Sequence, residues 1–230
     1  MNANVSSVTM YATDPDRAQS MDLITSLRRR FNGRYLIDPF GADPQLQDVL
    51  APVVLAAVRT RVEHGERLIR NGPALLVSNR GLGVVEPTAL TVAVRCEIGR
   101  RLRIVGVPDI PVLGDIMRKL GGVIAYPGDV GALLRAGHMA AVPLGSSWSR
   151  WAGGRPPLPL LVPALGYPVI PIAVMPGGPF GMPLRPWRVV VGEPLPIHSK
   201  KGSGDPLAAA ELAEAARTAI DTLISGDSNG

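Results

Sequence analysis

Residues 72–87, Gly72-Pro73-Ala74-Leu75-Leu76-Val77-Ser78-Asn79-Arg80-Gly81-Leu82-Gly83-Val84-Val85-Glu86-Pro87, decide how the chain is read. Ala74 to Val77 is a short aliphatic run between Gly-Pro and Ser-Asn, the pattern of a strand buried on both faces. A glycine-bearing loop follows, and Glu86-Pro87 opens a helix, because proline suits a first turn whose N–H has no intrahelical partner. Catalytic groups often sit at such strand-to-helix turns, which makes Asn79, Arg80 and Glu86 the first residues to examine.

The same alternation continues outward. Aliphatic runs at 102–107, 123–126, 139–143, 168–175 and 187–191 read as strands, and a further short strand is expected within 62–69. Helical spacing or helix-end signals mark 44–62, 87–98, 111–120, 130–136 and 205–224, with Pro52 expected to kink or restart the first of these. Leu207, Leu212, Ala215, Ala216, Ala219, Ile220 and Leu223 form the apolar side expected for the last helix. Strands alternating with helices of this length define an α/β domain: a mixed, mostly parallel sheet flanked by helices. The expected divisions are a loosely ordered 1–20, an N-terminal helical extension at 21–71, the α/β domain at 72–224 and a disordered tail at 225–230.

Composition narrows the function. The 230 residues include 24 Lys+Arg against 19 Asp+Glu, a net charge of +5. That excess favours anionic headgroups or phosphates as partners. The basic clusters lack interleaved aromatics, which argues against nucleic acid. Met21 to Phe31 has helical apolar spacing and ends in Arg28, Arg29, Arg30 and Arg34. Met21–Arg34 is therefore either a membrane-surface anchor or a solvated helix packed on the domain. The single cysteine, Cys96, excludes an internal disulfide, makes a zinc cluster improbable and is expected as a buried small hydrophobe. No metal is expected. The uncharged stretch between Arg155 and Arg185 carries nine prolines, so it reads as a buried strand with loops and not as a membrane span. The expected location is cytoplasmic, with peripheral contact at the inner face of the cell membrane.

The order of motifs resembles the glycerolphosphate/lysophospholipid acyltransferase family over 72–224. In that family the first strand ends in Asn-His, four residues intervene, and an Asp follows. Here Asn79 stands in place, Arg80 replaces the His, and Val85 replaces the Asp. Ile110-Pro111-Val112-Leu113-Gly114 resembles a family helix start, and Leu120 to Tyr126 resembles the second motif without its Arg. Val142-Pro143-Leu144-Gly145-Ser146-Ser147 resembles the Phe-Pro-Glu-Gly-Thr-Arg motif, with its acid replaced by Leu144. Tyr167 to Ala173 resembles the fourth. The family fold is thus implied, with acyl-CoA or acyl carrier protein as acyl donor, a glycerol-phosphate lipid as ligand, and no further cofactor.

The working residues do not fit the family's chemistry. A general base needs an acceptor lone pair near the operating pH; Arg80 stays protonated and has none. Glu86 is the candidate replacement base, against the simpler reading of a helix cap. An Arg80–Glu86 ion pair is the expected arrangement. Arg80 could otherwise bind a phosphate, and Gly145, Ser146 and Ser147 could offer amides and hydroxyls to it, or form an ordinary turn. His138 is expected to face solvent. Gly81-Leu82-Gly83 lacks the third glycine of a dinucleotide loop, since Glu86 occupies that position. Two functions follow: a lipid-metabolism acyltransferase with a non-standard base, or a non-catalytic lipid- or acyl-binding protein.

Overall fold

The computed structural model describes residues 37–79, 85–107, 111, 113–144, 158–176, 186–197 and 204–226. In these, seven strands form one sheet: β1 (Thr60–Glu63), β2 (Ala74–Ser78), β3 (Leu102–Val105), β4 (Gly122–Val123), β5 (Met139–Pro143), β6 (Val169–Met175) and β7 (Trp187–Val191). Their order across the sheet is β1-β7-β6-β2-β5-β3-β4. Every neighbouring pair is parallel except β6 and β7, which run antiparallel. The helices are α1 (Pro44–Ala57), α2 (Val85–Ile98), α3 (Leu113–Lys119), α4 (Pro127–Arg135), the single-turn α5 (Leu158–Leu161) and α6 (Pro206–Ser225). The expected architecture is therefore present: a mixed, mostly parallel sheet covered by helices on both faces.

The strand alternation decides which helix covers which face. Leu75 and Val77 of β2 belong to one cluster, with Leu133, Leu134, Leu161, Leu212 and Ile220 from α4, α5 and α6. Ala74 and Leu76 belong to the other, with Ala89, Leu90, Ala93 and Val94 of α2. Successive side chains point to opposite faces, so the four aliphatic residues Ala74 to Val77 bury β2 on both faces. Asp205 caps α6 through the amides of Leu207 and Ala208, and Pro206 occupies its first position. The packed side of α6 is Ala208, Ala209, Leu212, Ala213, Ala216 and Ile220. Leu207, expected on that side, is 68% exposed, because at about 100° per residue it lies opposite the buried Ala216 and Ile220.

Several boundaries differ from those expected. The first helix ends at Ala57 and not at 62, and Pro52 lies inside it without interrupting it. The strand sought at 62–69 is Thr60–Glu63, followed by a 3-10 turn at Gly65–Arg67. This strand pairs with β7, so the segment before Gly72 contributes an edge strand to the sheet as well as a helix. A bidentate ion pair fixes the seam, with Arg188 Nε and Nη2 both 2.8 Å from the Glu63 carboxylate. The Asp38-Pro39-Phe40-Gly41 turn forms as expected. Its Asp38 accepts the amides of Phe40 and Ala42 and pairs with the buried Arg103 of β3. The third strand expected at 123–126 is reduced to Gly122–Val123.

Segment 169–175 is a buried strand, as the proline count required. Among the described residues no helix is long and apolar enough to cross a membrane. Residues 1–36, including Met21–Arg34, lie outside the described residues.

Candidate functional site

β2 ends centrally, flanked by β5 and β6, and its last residues organise the carboxyl end of the sheet. The ladder between β2 and β6 runs to Ser78 opposite Ile172. Asn79 then extends it with its side chain. Its Nδ2 donates to the Val174 carbonyl at 2.8 Å, and its Oδ1 accepts the Val174 amide at 2.6 Å. The carboxamide thus imitates a peptide unit and holds the two strand ends together. Asn79, a candidate for phosphate binding, directs both its oxygen and its nitrogen to this role.

Glu86 was expected to precede the helix. The helix instead opens at Val85, so Glu86 lies within its first turn, where a carboxylate favours the dipole. It is 8% exposed. It borders a cavity of about 30 Å³ with Ser78, Asn79, Leu90, Pro143 and Val174. A space of that size admits a water-sized group. Arg80, Gly145, Ser146 and Ser147 lie outside the described residues, and so does the expected Arg80–Glu86 pair. The described part of this site brings together a carboxylate, a carboxamide and a serine, Ser78, around a small cavity.

A second and larger space adjoins it. Between α1 on one side and α2, β3, α3 and β4 on the other runs an apolar groove of about 200 Å³. Leu50, Val54 and Leu55 of α1 face Thr91 and Val92 of α2 and Met117 of α3 across it. Pro87 and Ile104 line both spaces and form the wall between them. The aliphatic stripe of α1 therefore covers a groove and does not enter the core: no residue of this helix is buried. Gly122 at the groove floor permits the close approach of the α3 segment. A Cβ there would lie 2.8 Å from the Met117 carbonyl and collide with Val107.

Polar contacts tie α1 to its neighbours. Asp43 caps it by accepting the Leu46 amide at 2.8 Å, and the Asp43 amide donates to the Lys119 carbonyl. Asp48 receives Arg95 of α2 on one carboxylate oxygen at 2.9 Å and Arg101 on the other at 2.7 Å. Arg95 and Arg101 also line the groove, beside Arg100. The sequence reading missed this group. Its partners are separated by 47 and 53 positions, and the only local signal was the Arg100-Arg101 pair after a glycine.

Two single-residue expectations are corrected. Cys96 is exposed on α2 and not buried, because the inward positions of that helix are taken by Ala89, Leu90, Ala93 and Val94. His138 does not simply face solvent: it is half-buried beneath the edge of Phe40, with ring centres 5.5 Å apart. Desolvation and, after it, the charge of Arg103 push its pKa below the ordinary value. Among the described residues no cluster of His, Cys, Asp or Glu could hold a metal ion.

Fold and site together define an α/β protein with an aliphatic groove beside a small carboxylate-bearing cavity at the carboxyl ends of its parallel strands. Comparison with known proteins places uncharacterized mycobacterial proteins beside it. The uncharacterized protein Rv0502 of Mycobacterium tuberculosis is 28% identical over 270 aligned positions, covering 93% of this chain and 75% of the relative. The uncharacterized protein ML2427 of Mycobacterium leprae is 33% identical over 151 positions, covering 60% of this chain and 41% of the relative. Among solved structures, the 1-acyl-sn-glycerophosphate acyltransferase of Thermotoga maritima is similar at a TM-score of 0.46 and 14% identity, over 86% of this chain and 87% of that one. No family model matches.

Proposed function

We propose that this chain is a lipid-metabolism protein related to the acyltransferases that binds a single aliphatic chain in the groove beneath α1, without the His-Asp chemistry of that family. The observation that carries this reading is the groove itself, an apolar space of about 200 Å³ closed by a helix with no buried residue. An aliphatic chain suits it, because each methylene removed from water contributes about 0.8 kcal/mol. The motif resemblance at Asn79, Pro143 and Tyr167 to Ala173 supports the choice of ligand class. Arg80 and Val85, where the family has His and Asp, argue against proton abstraction by the family's route.

A calorimetric titration with dodecanol tests the groove. Saturable binding that disappears in Ala51→Trp, a residue of the groove lining, with unchanged thermal unfolding, is the expected result. Binding that survives the substitution would refute the groove reading, and so would failure of dodecanol, dodecanoate and dodecyl phosphate alike to bind the unaltered protein.

A second reading, acyl transfer with Glu86 as base, is favoured by one observation. Its carboxylate lies in a cavity separated from the groove only by Pro87 and Ile104. Glu86 would take the proton of an acceptor hydroxyl as that oxygen attacks the thioester carbonyl, and the thiolate would leave. Turnover of acyl-CoA with lysophosphatidate that falls at least a hundredfold in Glu86→Gln would establish this reading. Absence of turnover in the unaltered protein would leave lipid binding as the function.

A further inference from the structure

We infer that the groove takes an anionic single-chain amphiphile, with its carboxylate or phosphate head at Arg95 and Arg101 and its tail running along α2 toward Pro87. This rests on the groove reading and adds the ligand's charge and its orientation. Arg95 and Arg101 line the groove, Arg100 borders it while donating to the Ile69 and Gly137 carbonyls, and among the groove's described lining residues there is no carboxylate. All three lie at one end, where α2 finishes and β3 begins. The other end, at Pro87 and Ile104, is apolar.

The arginine end is open to solvent, with the side chains of Arg95 and Arg101 30% and 26% exposed. One carboxylate, Asp48, serves both guanidiniums, each through a single Nη2. A guanidinium has five N–H donors in a fixed fork, so a second anion can be received beside the first. From Pro87 to Arg95 the helix rises about 12 Å, which sets the length of tail that fits below the head. This places the head at the opposite end of the groove from Glu86.

The arrangement predicts opposite effects for the two partners of the ion pair. Titrations of the 230-residue protein with dodecanoate, dodecyl phosphate and neutral dodecanol would measure them. We expect an anionic probe to bind at least tenfold more tightly than dodecanol, and the better of the two anions names the head. Arg101→Gln should weaken the anionic probe about tenfold and leave dodecanol unchanged. Asp48→Asn, which removes the competing carboxylate, should tighten the anionic probe severalfold. If the trio only holds α1 in place, both substitutions would shift every probe in the same direction, and that result would overturn the inference. Equal affinities for anionic and neutral probes would overturn it too while sparing the groove reading. Failure of all three probes to bind would remove the groove reading itself.

Discussion

Asn79 shows how one side chain can take over from a backbone. β2 and β6 diverge after Ser78, and the carboxamide continues their ladder for one more step through Val174. Both bonds lie at the partly buried end of the sheet, so Asn79→Ala leaves a donor and an acceptor of Val174 without these partners. Each such loss costs about 1–3 kcal/mol. Urea unfolding should show a destabilisation of about 2–6 kcal/mol for the two losses together; a change below about 0.5 kcal/mol would mean that Asn79 does not tie the strands. The sequence marked Asn79 correctly as the end of a strand. It could not say that the side chain turns back to a residue 95 positions away, since nothing local encodes that partner. The expected burial of Cys96 failed for a related reason. An apolar neighbourhood in sequence does not reveal which side of a helix faces the sheet, and here Ala89, Leu90, Ala93 and Val94 took the inward positions.

α1 and α3 are the elements that make the groove, and their sequences carry the expectation only halfway. The spacing of Leu46, Leu50, Val53 and Val54 announces an amphipathic helix but not what its apolar face meets. Val53 is 62% exposed, and Leu50 and Val54 line the groove. A helix with a good stripe and no buried residue is a cover more than a core element. Gly122 belongs to the same structure, because the α3–β4 connection folds tightly only where no Cβ intervenes. Gly122→Ala should lower stability by about 1–3 kcal/mol, the usual cost of overpacking, and reduce amphiphile affinity by moving Val107 and Met117. Wild-type unfolding with altered affinity would place its effect on the groove alone, contrary to this account. The short β4 was over-read from its aliphatic run, since Ile124 and Tyr126 are exposed beyond its two residues.

In the molecule as a whole, the alternation of strand and helix was legible because burying a parallel sheet on both faces demands continuous aliphatic runs. Strand order was not legible, nor that Thr60–Glu63 joins the far edge of the sheet, since pairing with β7 is set by contacts 125 positions apart. Two ionisable sites make the stability of this assembly depend on pH. The bonds from Arg188 hold the Glu63 carboxyl below its ordinary value of 4.5. That contribution is present above pH 4.5 and is lost as the pH falls through the lower, folded-state value. His138 lies below its ordinary value of 6.5. As the pH falls past 6.5 the unfolded chain takes up a proton that the folded protein resists, so stability declines there too, and above 6.5 the site has no effect. Urea midpoints measured from pH 8 to pH 3 should therefore fall in two stages. His138→Gln should flatten the upper stage and Glu63→Gln the lower. Profiles unchanged by either substitution would contradict the assignment.

The central claim is that an aliphatic chain occupies the space between α1 and α2. A crystal of the protein grown with ω-bromododecanoate and measured at the bromine edge tests it in one experiment. The account predicts an anomalous peak inside the groove, near the wall formed by Pro87 and Ile104. A peak in the Glu86 cavity, or only at the protein surface, would contradict it.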